Sequence, residues 1–151
     1  GALKLAEKLV NSDPFLVMNG DSFIDFELTR ILEDHATTQS DVSMLISSSM
    51  KSETYGSVFI DENRRVVAFA EKIREERSSF TNAGIYCLNS AVLSSIGNGV
   101  PISLERECFP QWVDRLKVTG LVTSSPIVDI GTAKRYQAAQ FLSFGEISNV
   151  P

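Results

Sequence analysis

Residues 15 to 26 read FLVMNGDSFIDF, and the apolar run at their start ends abruptly at Asn19-Gly20-Asp21. A short apolar run bounded by turn residues is typical of a strand buried on both faces, as in a parallel sheet. Ligands of open α/β sheets bind beyond the carboxyl ends of the strands, where Asp21 would then lie. A carboxylate there suits a hard divalent cation that also binds phosphate oxygens, and Gly20 permits a sharp turn. The alternative is a loop aspartate that caps the next helix, or a plain Asn-Gly turn.

A second carboxylate has the same setting near the end of the sequence. In IVDIGT, residues 127 to 132, a short apolar strand ends at Asp129, Gly131 turns the chain, and Thr132 is placed to cap a helix. Two acids at strand ends, each preceding a helix, favour a pair that converges on one ligand. The alternative is a surface acid near a helix N-terminus, which the helix dipole stabilises.

The order of predicted elements indicates an α/β fold. The opening reads helix, strand, helix, strand, which favours right-handed crossovers and parallel strands. Residues 62 to 65 read as a hairpin turn between two strands. We therefore predict a mixed, mostly parallel sheet flanked by helices, in a single domain over residues 1–151. The predicted helices are 2–10, 27–37, 90–96, 103–113 and 132–142, and the predicted strands are 15–19, 41–48, 57–61, 66–72, 80–88, 118–124 and 127–130.

Composition excludes several classes of function. The net charge is −5 and no basic stripe occurs, which argues against a nucleic-acid partner. No apolar run is long enough to span a membrane, and the first residues lack the features of a signal peptide, so we expect a cytoplasmic protein. The two cysteines, Cys87 and Cys108, are too few for a disulfide framework. The single histidine, His35, lies on the apolar face of a predicted helix, and we interpret it as structural.

Further candidate residues lie at strand ends in the middle of the chain. Lys72 could neutralise a phosphate, and Glu71 could hold sugar hydroxyls, although a solvated ion pair is the alternative. Gly56, and the segment that contains Asn82 and Gly84, could admit a flat ligand or could be turn and bulge positions.

Taken in chain order, several segments resemble the motifs of sugar-1-phosphate nucleotidyltransferases, and most closely the short mannose- and heptose-1-phosphate guanylyltransferases. These segments are GAL, NGDS, YGSV, AEK, TNAGIYCLN and VDIGT, and the resemblance runs from Gly1 to about Phe141. It implies a Rossmann-like domain of the GT-A type. It also implies that a nucleoside triphosphate and a sugar 1-phosphate react to give a nucleotide sugar and pyrophosphate, with Mg²⁺ offsetting the phosphate charge.

The same resemblance assigns roles to individual residues. Asp21 and Asp129 match the two metal-binding aspartates, and Lys72 matches a lysine near the sugar phosphate. Gly1 matches the last glycine of the loop that packs against the base. The positions that match the lining of the sugar site are Gly56, Glu71, Asn82 and Gly84.

The sequence departs from the family at its start. The glycine-rich loop that cradles the triphosphate has no counterpart here, so we expect an incomplete domain that is inactive by itself. A second hypothesis follows: a catalytically silent relative that keeps the sugar-facing half and serves as a self-associating binding or structural module. Without the first strands, a sheet edge and an apolar face would be exposed, which predicts a homodimer.

Overall fold

A computed structural model describes residues 1–49, 56–71, 80–99 and 101–142, without the side chains of residues 70 and 71. The helices are α1 (Ala2–Ala6), α2 (Leu28–Thr38), α3 (Phe109–Arg115) and α4 (Ala133–Ala139), with 3₁₀ turns at Glu7–Leu9 and Ser90–Ser95 and a π-helical turn at Leu104–Cys108. The strands are β1 (Phe15–Met18), β2 (Ser22–Ile24), β3 (Val42–Ser47), β4 (Gly56–Ile60), β5 (Val66–Glu71), β6 (Phe80–Leu88), β7 (Val118–Thr123) and β8 (Ile127–Asp129). Among these helices, none is long and apolar enough to cross a membrane.

Six strands form one sheet around the long strand β6. The order is β5-β4-β6-β3-β7, and β1 pairs with the second half of β6. β4 pairs with the first two residues of β6, through Ser57 opposite Thr81 and Val58 opposite Phe80. The predicted hairpin is present, since β4 and β5 pair in antiparallel register from Gly56 opposite Glu71. The α/β class and the mixed sheet are therefore confirmed.

The predicted predominance of parallel pairs is corrected by the strand pairing. β1 and β3 run in the same direction, as the intervening helix α2 suggests, but β6 lies between them and is antiparallel to both. Among the described strands, only β3 and β7 pair in parallel. A local strand–helix–strand pattern indicates the direction of two strands, but it carries no information about a distant strand inserted between them.

The sheet has an apolar core on each face, and β3 contributes to both. Because side chains alternate across a strand, Leu45 faces one core and its neighbours Met44 and Ile46 face the other. The core containing Leu45 includes Ile31 of α2, and the opposite core includes Phe109 of α3. Helices thus cover both faces of the sheet, as predicted.

Strand β2 was not predicted, and it forms a separate two-stranded antiparallel ribbon with β8. The register places Ser22 opposite Asp129, Phe23 opposite Val128 and Ile24 opposite Ile127. This ribbon carries both of the strand-end aspartates to one end of the sheet.

Candidate functional site

The β2–β8 ribbon sets the backbones of the two aspartates side by side. Asp21 immediately precedes β2 and Asp129 is the last residue of β8. Beyond the strand pairing, the N–H of Ile130 donates a hydrogen bond of 2.8 Å to the carbonyl oxygen of Asp21. Two segments more than a hundred residues apart in sequence are therefore tied together at the point where both carboxylates emerge.

The two carboxylates converge on Gly131. A β-carbon at Gly131 would lie 3.0 Å from Oδ2 of Asp21 and 3.2 Å from Oδ1 of Asp129. The N–H of Gly131 donates a hydrogen bond of 2.7 Å to Oδ1 of Asp129, which fixes the rotation of that carboxylate. Gly131 therefore leaves the space between the two acids clear, and its backbone orients one of them.

A guanidinium neutralises part of the charge at this site. Nη1 of Arg135, in the first turn of α4, is 3.2 Å from Oδ1 of Asp129. α4 is itself positioned by Thr132, whose Oγ1 accepts a hydrogen bond of 3.3 Å from the N–H of Arg135. The predicted capping role of Thr132 is thus confirmed, and the cap also places the arginine.

The donor set suits a hard cation that shares its coordination with a substrate. Across residues 1–49, 56–71, 80–99 and 101–142, no group of three or more His, Cys, Asp or Glu side chains is arranged to hold a metal ion. A pair of carboxylates is nevertheless a fitting set for Mg²⁺, which takes oxygen ligands and commonly binds one or two carboxylates together with waters and phosphate oxygens. Asp21 and Asp129 are the described residues that could hold such an ion.

A second meeting of distant segments lies beside Asp21, at the tip of β1. The N–H of Asn19 donates a hydrogen bond of 2.8 Å to the carbonyl oxygen of Gly84. Gly84 has a φ of +73°, and a β-carbon there would lie 2.7 Å from Nδ2 of Asn19, so glycine is required both for the backbone and for the contact. Asn82 is buried on the same strand, and its Oδ1 accepts a hydrogen bond of 3.2 Å from the N–H of Gly84. The segments NGD and NAG are therefore neighbours in space.

The remaining predicted residues are distributed around this centre. Gly56 begins β4, and because Ser57 pairs with Thr81, Gly56 comes beside Asn82. Its Cα faces the ring of Phe69, which a β-carbon would approach to 2.8 Å. Glu71 pairs with Gly56 through the backbone, but its side chain lies outside the described part of the structure, as does the whole of Lys72.

Gly1 and Asn19 both line a cavity of about 450 Å³. The glycine matched to the base-facing loop and the first residue of the NGD segment therefore share this cavity. The amino group of Gly1 donates a hydrogen bond to the carbonyl oxygen of Ile102. The structure therefore groups Asp21, Asn82, Gly84 and Asp129 at one end of the sheet, and Gly1 lines a cavity that Asn19 also lines.

Sequence reasoning missed three polar residues near this end. Arg135 follows Thr132 by three residues, so the predicted cap at Thr132 could have indicated that Arg135 lies in the first turn of α4. That position brings it beside Asp129. Tyr86 shares a face of β6 with Asn82, since the two are four residues apart in a strand. Glu105 carries no local signal, because it reaches Tyr86 through a contact between distant parts of the chain.

His35 and the cysteines hold structural positions. His35 is buried, and its Nδ1 and Nε2 lie 2.9 Å from Ser43 Oγ and Asn89 Oδ1, respectively. Burial raises the pKa of Cys87 to about 11, and it also raises the pKa of Cys108. Since the thiolate is the nucleophilic form, neither cysteine is suited to covalent catalysis at neutral pH.

Comparisons with known proteins identify the family of this chain. The family model described as "Nucleotidyl transferase" matches residues 1–141. The catalytic subunit beta of mannose-1-phosphate guanylyltransferase from Drosophila melanogaster is 31% identical over 138 residues, which cover 90% of this chain and 37% of that protein. Mannose-1-phosphate guanylyltransferase from Mycobacterium tuberculosis is 33% identical over 138 residues, which cover 90% of this chain and 38% of that protein. The chain thus spans less than half the length of these two relatives.

A solved structure shows the same fold. HddC from Yersinia pseudotuberculosis, complexed with GMP-PN, matches with a TM-score of 0.74 and 25% identity, over 91% of this chain and 59% of that chain. The family model covers nearly all of the sequence, and it includes both strand-end aspartates and the segment between them. The chain therefore belongs to the nucleotidyl transferase family.

Proposed function

We propose that this chain forms the sugar-phosphate-binding part of a sugar-1-phosphate nucleotidyltransferase. Such an enzyme joins a nucleoside triphosphate to a sugar 1-phosphate and releases pyrophosphate. The observation that carries the proposal is the convergence of Asp21 and Asp129 on Gly131, beside the contact between Asn19 and Gly84. Two carboxylates held over a glycine leave room for a cation and for the phosphate oxygens that share it.

The chain's own residues would bind and orient the substrates. Asp21 and Asp129 would hold Mg²⁺, which when bound offsets the negative charge of the phosphate groups. Lys72 would face the sugar phosphate, and Gly1 would face the base. The residues that would line the sugar are Gly56, Glu71, Asn82 and Gly84. Phosphoryl transfer of this kind needs positioning and charge stabilisation more than covalent help, which fits a chain whose cysteines and histidine are buried.

The names of the relatives support a guanylyl transfer. Mannose-1-phosphate guanylyltransferases are similar to nine-tenths of the chain, and the related HddC structure holds GMP-PN. We therefore propose GTP as the nucleotide, and mannose 1-phosphate or a heptose 1-phosphate as the sugar substrate. We also propose a cytoplasmic site of action, as expected from the sequence.

Calorimetric titration with mannose 1-phosphate tests the proposal. The 151-residue protein should bind mannose 1-phosphate in the presence of Mg²⁺, and the affinity should fall at least tenfold, which is about 1.4 kcal/mol, when EDTA removes the metal. A parallel titration with GTP, followed by an assay of pyrophosphate release, asks whether the same chain also binds the nucleotide and turns over. Absence of mannose 1-phosphate binding in either condition would reject the proposed function.

A second candidate, a self-associating module without catalysis, is favoured by the surface around β1. Within the described part of the chain, β1 is paired along one side, with β6. Apolar side chains of β1 and of the helical segment that precedes it are exposed: Met18 is 52%, Leu5 83% and Leu9 78% accessible. A two-fold contact between two copies would cover this edge. Sedimentation velocity should then show a dimer at micromolar concentration that Met18→Lys dissociates, whereas a monomeric wild-type protein would reject this candidate.

A further inference from the structure

Three side chains form a hydrogen-bonded series behind the candidate site, which we call the β6 relay: Asn82, Tyr86 and Glu105. Nδ2 of Asn82 donates a hydrogen bond of 2.7 Å to the hydroxyl oxygen of Tyr86. The Tyr86 hydroxyl in turn donates to Oε1 of Glu105 at 3.4 Å. Tyr86 is fully buried and Asn82 is 7% accessible, so the bond between these two side chains is shielded from water, whereas Glu105 is partly exposed. The β6 relay thus connects a residue matched to the sugar site with the π-helical turn on the neighbouring surface.

The β6 relay has a fixed direction, because its last member can only accept. An ionised carboxylate has no hydrogen to donate, so the single hydroxyl hydrogen of Tyr86 must point toward Glu105. Burial and the adjacent charge of Glu105 both raise the pKa of Tyr86 well above its ordinary value, and the phenol therefore keeps that hydrogen. The oxygen of Tyr86 must then accept from Asn82. Glu105 therefore dictates which end of the Asn82 amide faces Tyr86.

The oxygen end of the Asn82 amide has a partner that requires the same amide orientation. Oδ1 of Asn82 accepts a hydrogen bond of 3.2 Å from the N–H of Gly84. If the Asn82 amide were flipped, its N–H₂ group would face the N–H of Gly84, and two donors would meet. Its oxygen would face the oxygen of Tyr86, and two acceptors would meet, because the Tyr86 hydrogen points toward Glu105. Within the part of the chain that the structure describes, one N–H and one lone pair of Asn82 are used by the protein, and one of each remains.

Glu105 is anchored independently of Tyr86. Oγ of Ser103 donates a hydrogen bond of 3.3 Å to Oε2 of Glu105, and it also accepts one of 3.3 Å from the N–H of Arg106. Ser103 therefore caps the π-helical turn and holds the carboxylate with the same atom. Both residues line the 450 Å³ cavity that Asn19 also lines. The carboxylate end of the β6 relay is thus part of the wall next to the candidate site.

We propose that Glu105 and Tyr86 are positioning residues that set the orientation of the Asn82 amide for a sugar. So oriented, the remaining N–H and the remaining lone pair of Asn82 match two hydroxyl groups on neighbouring carbons, one accepting and one donating. The ligand class is therefore the hydroxylated ring of a sugar phosphate, bound through a vicinal diol. This inference rests on the proposed function, which supplies the sugar-facing role of Asn82.

Glu105→Gln tests the relay with little change in shape. A glutamine can donate to the tyrosine oxygen, which frees the Tyr86 hydroxyl to donate to a flipped Asn82 amide. The matched control is Glu107→Gln, the same chemical change on the same turn. Glu107 accepts a hydrogen bond of 3.0 Å from the N–H of Ser103, which glutamine can also accept, and it does not touch the relay. Tyr86→Phe serves as a second variant that removes the link.

Two measurements test the relay separately from the proposed function. In the ligand-free protein, NMR should show nuclear Overhauser contacts between the Asn82 side-chain N–H₂ and the Tyr86 ring. These contacts should weaken, or a second set of amide signals should arise, in Glu105→Gln but not in Glu107→Gln. The dissociation constant for mannose 1-phosphate with Mg²⁺ should rise about threefold to tenfold in Glu105→Gln, with the affinity for the metal alone unchanged.

Each contrary result identifies what has failed. Unchanged Asn82 signals in both Glu105→Gln and Tyr86→Phe would overturn the orientation mechanism. Changed Asn82 signals together with an unchanged dissociation constant for mannose 1-phosphate would show that the amide orientation has no role in sugar binding. If the wild-type protein binds no mannose 1-phosphate, the proposed function is rejected, and so is the role of Asn82 in sugar binding. The NMR comparison still tests whether Glu105 and Tyr86 orient the Asn82 amide.

Discussion

Oδ2 of Asp21 and Oδ1 of Asp129 approach the same point in space, at 3.0 and 3.2 Å from the place where a β-carbon on Gly131 would stand. The β2–β8 ribbon creates this approach, because Ser22 pairs directly with Asp129 and the carbonyl of Asp21 accepts from the N–H of Ile130. Two negative groups that converge in this way repel each other, and the guanidinium of Arg135 offsets part of the charge on Asp129. The two carboxylates remain a fitting pair of oxygen ligands for a divalent cation.

Gly131→Ala should weaken metal binding without unfolding the protein. The new methyl group would press on both carboxylates, which must move apart by a few tenths of an ångström. We expect the dissociation constant for Mn²⁺, used as a probe for Mg²⁺, to rise about threefold to tenfold. Electron paramagnetic resonance of free Mn²⁺ measures this, and Gln137→Ala on the exposed side of α4 is the control. An unchanged Mn²⁺ affinity in Gly131→Ala would contradict binding between the two acids.

Arg135→Gln should have the opposite effect. The guanidinium 3.2 Å from Asp129 Oδ1 competes with a cation for the same oxygen, so its removal should tighten Mn²⁺ binding about twofold to fivefold at low salt. Lys134→Gln removes the same charge from the adjacent position and controls for the general field of α4. The two variants should differ less at 0.5 M salt, since screening weakens an ion pair that is only partly buried. Equal effects of the two substitutions would show that Arg135 has no specific part in the site.

Gly84→Ala should destabilise the fold at the tip of β1. Gly84 and Gly99 both have φ near +70°, but a β-carbon at Gly84 meets Asn19 at 2.7 Å, whereas one at Gly99 meets nothing within 4 Å. Gly99→Ala thus measures the cost of the left-handed backbone alone, about 1 kcal/mol, and Gly84→Ala should cost about 1–3 kcal/mol more. Urea denaturation followed by circular dichroism gives both free energies of unfolding. Equal losses of unfolding free energy in the two variants would mean that the close approach of Asn19 to Gly84 does not affect stability.

Stability should fall at high pH in a way that depends on Cys87. Burial raises the pKa of this thiol from 9.0 to about 11 in the folded protein. Between these values the unfolded chain loses the proton and the folded protein keeps it, so unfolding releases a proton and is favoured as the pH rises. Urea midpoints measured from pH 8.5 to 10.5 should decline more steeply for the wild-type protein than for Cys87→Ala. Parallel slopes would contradict the buried, protonated thiol.

Much of the local structure could be predicted from the sequence because its signals are local. The apolar run before Asn19, the helical spacing that leads to His35, and the turn between β4 and β5 are each contained within a few residues. The capping roles of Ser103 and Thr132 were likewise readable from the residue type and its position before a helix.

The features that assemble the site depend on contacts between distant segments. Strand β2 has three residues, which is too short for its alternation to be recognised, and its stability comes from pairing with β8. The insertion of β6 between β1 and β3 also depends on contacts between residues that are far apart in the sequence. For the same reason, the convergence of Asp21 and Asp129 was a hypothesis in the sequence and became a geometric observation only with the β2–β8 register.

The β6 relay illustrates a further limit. Asn82 was identified through family resemblance, whereas Tyr86 and Glu105 were missed. Their roles emerge from hydrogen-bond direction, which depends on which atom donates and on how deeply each group is buried. Sequence pattern carries neither quantity.

The central claim is that Asp21 and Asp129 together hold the divalent cation that a sugar phosphate shares. The most direct test is a titration of Mn²⁺ against the wild-type protein, Asp21→Asn and Asp129→Asn, each with and without mannose 1-phosphate. We predict that either substitution weakens Mn²⁺ binding at least tenfold, and that mannose 1-phosphate tightens Mn²⁺ binding in the wild-type protein only. Equal Mn²⁺ affinity in all three proteins, or an effect of mannose 1-phosphate that survives both substitutions, would contradict this claim.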